Sequence, residues 1–205
     1  MAQGDEPHHE ISMSVGIMTN QAYDTRLTYQ YYLNKSIGVG ASFGYYKQWH
    51  ANHIPQSELH HEEWDSWRLS EKDYKPQNIY LEPSLSINSP AIAQVGRWSL
   101  KLGLDVGVMF QLPYTLVSVK YINTTTQKSH QKNIYTSDMQ WCFWDIRPTI
   151  RVESNNIFVA LGYGFSDFDV YSSYRKISVQ GKAFDDFYPK KKLNNSFFLS
   201  VGGYF

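Results

Sequence analysis

Eight segments of this chain alternate apolar and polar residues one for one, and a period of two confines them to strands with two unlike faces. The first, residues 9–18, sets Ile11, Met13, Val15 and Ile17 against Ser12, Ser14 and Gly16. Residues 27–33 and 37–48 read as a hairpin about Asn34-Lys35-Ser36, with Leu27, Tyr29, Tyr31, Val39, Phe43 and Tyr45 on its apolar side. The fourth segment, 78–88, opposes Ile79, Leu81, Leu85 and Ile87 to Tyr80, Glu82, Ser84 and Ser86. The fifth, 98–112, is the clearest: every even position from Trp98 to Leu112 is apolar, and the odd ones include Ser99, Lys101, Gly103, Asp105 and Gly107. Segments 140–153, 157–165 and 193–205 complete the set. With 16 Tyr, 11 Phe and 6 Trp and few helix-favouring runs, the composition agrees with strands.

The connections carry a second signal. Those after the first, third, fifth and seventh segments cover residues 19–26, 49–77, 113–139 and 166–192, whereas the others cover only 34–36, 89–97 and 154–156. Short turns on the side of both termini and long polar loops on the other are the layout of an up-and-down antiparallel barrel that crosses a membrane. The polar face carries Glu82, Lys101, Asp105, Asp145, Arg147, Arg151 and Glu153 in mid-strand among Gly and Ser, a mixture that fits the cramped lumen of eight strands. On the apolar face, Trp98 stands at one end and Tyr45, Trp49, Trp144 and Phe165 near the other, the placement of two aromatic girdles. A soluble ligand-binding barrel with the apolar face inward is the alternative. No run of 18 residues lacks a charge, so no transmembrane helix is present. The balance of 19 Lys+Arg and 19 Asp+Glu offers nothing to nucleic acid, and the single Cys142 excludes a disulfide scaffold.

The last strand, Asn195-Ser-Phe-Phe-Leu-Ser-Val-Gly-Gly-Tyr-Phe205, ends on an aromatic residue with apolar residues at alternate positions before it. With the loop asymmetry, it makes the whole chain resemble the eight-stranded outer-membrane barrels of the OmpA and OmpX type. That resemblance implies residues 1–8 as a periplasmic tail, 9–205 as the barrel, contact with outer-membrane lipids, and Phe205 as a signal read by the barrel-assembly machinery. Met1-Ala2-Gln3 carries no export signal and reads as a mature N-terminus behind an added Met, so a bacterial outer-membrane location is expected with the signal peptide upstream. Such barrels serve as anchors, adhesins, lipid-modifying enzymes and narrow channels, so the resemblance leaves activity open.

Two groups of side chains are candidate sites. The seven mid-strand charges are expected to form an ion-pair network that plugs the lumen, with Arg147 and Arg151 paired to Glu82, Asp105 or Glu153; a proton or ion path is the alternative. Pro83 and Pro148 occupy matching places in Leu81-Glu-Pro-Ser-Leu-Ser-Ile87 and Ile146-Arg-Pro-Thr-Ile-Arg-Val152 and predict a bulge at each, since a closed barrel has no free edge. The second loop holds Trp49, His50, His53, His60, His61, Trp64, Trp67 and Tyr74, an aromatic surface suited to an extracellular ligand or a membrane-complex partner. Its imidazoles and carboxylates are metal-ligand types, but their spacing closes no four-ligand motif, and no metal or cofactor is assigned. All histidines lie outside the strand cores, which argues against a rim enzyme. The third loop is polar enough to be mobile, and Lys190-Lys191-Lys192 in the fourth suits anionic headgroups or snorkelling. The expectation is a non-enzymatic barrel whose loops bind, with a rim enzyme or narrow channel as the alternative.

Overall fold

The eight alternating segments form eight antiparallel strands: β1 (His9–Met18), β2 (Ala22–Tyr32), β3 (Ile37–Gln48), β4 (Gln77–Asn88), β5 (Trp98–Gln111), β6 (Cys142–Ser154), β7 (Ile157–Ser166) and β8 (Asn194–Tyr204). In this computed structural model, which describes residues 9–50, 54–59, 63–190 and 193–205, each strand pairs with its sequence neighbours. The ring is closed by β8 on β1, with Glu10 opposite Tyr204 and Met18 opposite Ser196. Closure satisfies both edges of every strand and leaves no free edge in the barrel. Residues 1–8, expected as a periplasmic tail, lie outside the described residues.

The faces are inverted relative to a soluble protein. Outward positions carry Ile11 at 48%, Leu27 at 56%, Leu161 at 46% and Val201 at 53% exposure, while Glu10, Asp24, Arg26, Glu82, Asp145 and Arg151 are buried inside. So much apolar surface facing out around a polar interior is stable against lipid and not against water, so the barrel is built to span a membrane. Trp98, Trp49, Trp144 and Phe165 face outward at the two ends, as the girdle reading requires. Inside, glycine makes room for large neighbours: a Cβ at Gly44 would collide with the Tyr80 ring, and one at Gly107 with the Glu82 carboxylate.

Two expectations fail here. The first connection is not a loop over residues 19–26, because β2 begins at Ala22 and only residues 19–21 turn. Asp24 and Arg26 look like loop residues in sequence, yet they keep the alternation and point into the lumen, with Tyr23 and Thr25 on the other face. The prolines produce no bulge. On β4 the pairing with β5 runs Leu81–Phe110 and then Ser84–Gly107, and on β6 the pairing with β7 runs Ile146–Phe165 and then Thr149–Gly162. In both cases the ladder skips two residues on each strand and resumes in the same register. Each missing N–H is thus absorbed by a local gap, with no residue inserted.

Beyond the outer rim the long loops fold together. Gln56–Glu58, Ser66–Leu69, Thr115–Asn123 and Lys128–Thr136 form a four-stranded sheet in which Thr115–Asn123 lies between Lys128–Thr136 and Ser66–Leu69. The third loop, read as polar and mobile, is therefore a nine-pair hairpin from Thr115–Thr136 to Asn123–Lys128. The fourth loop contributes a one-turn helix, Ser172–Arg175, and a 3-10 turn, Phe184–Asp186. Together these segments make a head above one rim of the barrel.

Candidate functional site

The lumen is organised around two arginines. Arg26 on β2 donates from Nε to Asp24 at 2.8 Å and from Nη1 to both Glu82 at 2.5 Å and Asp145 at 2.8 Å, with all four side chains buried. The Tyr80 hydroxyl donates to the second oxygen of Asp24 at 2.5 Å. Nearer the other end, Arg151 on β6 binds Glu10 at 2.7 Å and approaches Glu153 at 3.7 Å. Tyr32 donates to Glu10, Tyr204 donates to Glu153, and Asn88 donates to Tyr32, so this cluster is tied to β1, β2, β4 and β8. Lys101 completes it at 2.5 Å from Glu153.

All seven predicted lumen charges therefore lie in the barrel interior, and Arg151 meets Glu153 as expected, but the other partners differ from those expected. Glu82 and Asp145 are held by Arg26, which the sequence reading had placed in a loop. Arg147 pairs with no carboxylate among the described residues; its guanidinium lies 3.5 Å over the Phe198 ring and its Nε has no hydrogen-bond partner. Among the described residues Asp105 accepts only from Gln30, at 3.3 Å. Glu10, Asp24 and Arg26 were missed although parity marks them: they share the face of Ser12 and Thr28 on strands whose alternation is unbroken.

The space left between these groups is small. Arg147, Arg151, Glu10, Asp105, Phe198 and small hydroxyl side chains border a cavity of about 30 Å³, where one water needs roughly 10–15 Å³. At the outer end, Phe168 of the fourth loop seats between Tyr46 of β3 and Phe143 of β6, with ring centroids at 4.7 and 5.0 Å, both edge-on. The Tyr46 hydroxyl donates to Gln111, which donates in turn to the Gln140 carbonyl. The interior is thus filled by ion pairs and its outer mouth is stoppered by aromatic rings.

The head continues from that stopper as one apolar core, which includes Met18, Ala22, Met109, Trp67, Leu69, Val117, Val119, Tyr121 and Phe184. Trp67 stacks on Phe184 at 5.4 Å and is only 1% exposed. Tyr188 donates to the Tyr74 carbonyl at 2.8 Å, and Gln48 donates to Tyr171, whose hydroxyl donates to the Asn20 carbonyl. Burial pushes the phenols of Tyr171, Tyr174 and Tyr188 above their ordinary range, so all three stay neutral donors. Arg175 locks the fourth loop by donating to Asp169 at 2.5 Å and to the Pro189 carbonyl at 2.8 Å.

The aromatic residues proposed as a binding surface are accordingly divided. Trp67 is core; Trp64 and Tyr74 are half-buried against that core; Trp49 and His50 are exposed. His53, His60 and His61 lie outside the described residues. Among the described residues no three His, Cys, Asp or Glu side chains are placed to hold a metal ion. His9 opens β1, where its ring bonds the Tyr29 hydroxyl at 2.7 Å and stacks on Phe205, and His130 lies near Trp64.

No family model matches the chain, and neither does any curated protein. Solved structures do resemble it. Neisserial surface protein A matches at 8% identity over 96% of both chains with a TM-score of 0.47. The N-terminal β-barrel domain of Pseudomonas aeruginosa OprF matches at 10% identity over 96% of both chains, TM-score 0.45. The outer membrane enzyme PagL matches at 8% identity over 96% of this chain and 99% of its own, TM-score 0.36. Strand number, order and closure here are those of an eight-stranded outer-membrane-type barrel. At these identities the likeness is one of fold and says nothing about activity.

Proposed function

We propose that this protein is a non-enzymatic barrel of the bacterial outer membrane that holds a preorganised extracellular head as a binding surface for a ligand or membrane partner. The observation that carries this reading is the continuity of the core: Phe168 closes the lumen with the rings that anchor the head, so loops of three connections are held in one conformation by the barrel rim. A binding surface held rigid loses less entropy on association than mobile loops would. The reading keeps outer-membrane lipids as the barrel's surroundings, β8 as the strand read by the assembly machinery, and the lumen as structural, since its charges are engaged with one another, with the Gln30 amide or with rings.

Bilayer recording and surface display test it. The parent should pass no steady current, and cells displaying it should gain adhesion that Trp67→Ala removes while the barrel remains heat-modifiable. A steady current from the parent would favour a narrow channel, and adhesion untouched by Trp67→Ala would move the function away from the head.

A further inference from the structure

The outward row of β5 does not stop at the rim. Past the bend at Pro113, the even positions Leu112, Tyr114 and Leu116 stay on the outside, exposed by 45 to 50%, and lead into the outer face of Thr115–Asn123. Tyr135, directly opposite Leu116 on the hairpin, is 67% exposed and stacks on Tyr114 at 5.8 Å. Trp141, also exposed, packs beside Phe110 just below. This side of the barrel therefore carries its lipid-facing surface up onto the base of the hairpin.

Four residues further along, about 13 Å at strand rise, the same face changes character. Gln131, Lys120, Arg68 and Gln56 stand side by side in one row across all four strands of the head sheet. Lys120 and Arg68 are direct cross-strand partners, about 5 Å apart at Cα, and like charges so placed repel. Among the described residues neither has an ion-pair or hydrogen-bond partner; Glu58, the closest acid by register, lies two positions along from Gln56 and faces Ser66. The inner side of the same strands is spent on the core through Trp67, Leu69, Val117, Val119 and Tyr121. A cationic pair that no group among the described residues neutralises, flanked by two amides and set above an apolar aromatic shelf, is complementary to a phosphate joined to acyl chains. The guanidinium takes two phosphate oxygens and the ammonium supplies a point charge.

We propose that the Gln131–Lys120–Arg68–Gln56 row binds the phosphorylated headgroup of an outer-leaflet glycolipid whose acyl chains lie on Leu112, Tyr114, Leu116 and Tyr135. This assignment rests on the membrane reading above. The test reconstitutes the full chain into phosphatidylcholine nanodiscs doped with bisphosphorylated lipid A and counts lipid A retained per barrel by native mass spectrometry. Arg68→Gln with Lys120→Gln should weaken retention about thirtyfold, the equivalent of about 1 kcal/mol for each charge near a membrane surface at 1.4 kcal/mol per tenfold. Lys120→Arg should retain it, and dephosphorylated lipid A should behave with the parent as lipid A does with the double variant. These side chains lie outside the core, so heat-modifiable mobility should not change. Equal retention by the double variant, or no preference for phosphate, would overturn the assignment. Heparin oligosaccharides bound as tightly by the parent in lipid-free detergent would assign the row to a soluble polyanion and overturn it too. Failure of the parent to enter the discs would remove the membrane reading and this site together, whereas entry without phosphate preference removes the site alone.

Discussion

The barrel and the head are built on opposite solvent logic from one chain. In the barrel the buried side chains are Arg26, Glu82, Asp145 and Arg151 and the exposed ones are leucine, valine and isoleucine; in the head the buried ones are Trp67, Val117, Phe168 and Phe184 and the exposed ones are mostly polar. Both use the same period-two strand, so backbone pattern does not decide which face is inside; the medium does. The two cores meet at Tyr46, Phe143 and Phe168, where the ionic interior gives way to rings. Damage should therefore differ in kind: loss of a charge partner should weaken the barrel, and loss of apolar volume should loosen the head.

The largest effect is expected at Arg26. Three carboxylates converge on its guanidinium, so Arg26→Met leaves Asp24, Glu82 and Asp145 facing one another in a closed interior. Removing one partner of a buried ion pair costs about 3 to 5 kcal/mol, and this site belongs at the upper end of that range. Urea unfolding in lipid vesicles should show a much lower midpoint. Arg147→Met, which gives up a ring contact and no carboxylate, should cost clearly less; equal losses would mean that the two arginines share one network.

Trp67→Ala tests the other side. Deleting a buried Trp costs about 3 to 5 kcal/mol, and here the loss should fall on the head alone, because the closed ladder of the barrel does not depend on it. Proteolysis should cut within residues 115–136 while the heat-modifiable band persists. A barrel that no longer folds would show that the head is required for assembly. Third comes Leu161→Arg, with a cost of about 2 to 4 kcal/mol if the outward face meets the middle of a bilayer. Undiminished insertion of that variant would reverse the face assignment.

This division also explains what was legible in the sequence. The strands were readable because alternation is local: seven of the eight needed shifts of two residues or fewer at each end, β1 and β3 needed none, and β2 alone began five residues earlier than read. The lumen charges within those strands were readable for the same reason. Arg26 and Asp24 were hidden because two charges close to a turn resemble a loop until the register with β1 and β3 is known. The head was illegible for a different reason. Its sheet joins Ser66–Leu69 to Val119–Ile122 across some fifty residues of chain, and a four-residue strand has no periodicity to detect. Trp67 consequently looked like an exposed binding residue, when its ring stacks the second loop onto Phe184 of the fourth.

The smallest effect, and the most local, concerns how the hairpin tip is fastened to the second loop. Asp65 accepts both the backbone N–H and the hydroxyl of Thr124 at 2.6 Å, and these donors hold its carboxyl below the ordinary carboxylate range. A depressed folded-state value means that the contact contributes fully above the unfolded value near 4 and is lost as pH falls through the lower folded value. The Thr124 amide resonance should therefore stay constant at neutral pH and shift only below about pH 4, and Asp65→Asn should abolish that titration. Because Asp65 lies at the surface of the head, half-buried and outside its core, the change should remain at the tip, with the Phe168 stopper and the barrel unaffected. A Thr124 shift that begins well above pH 5, or one accompanied by changes at Tyr46, would show that the head transmits its surface chemistry into the lumen and that the two cores are not independent.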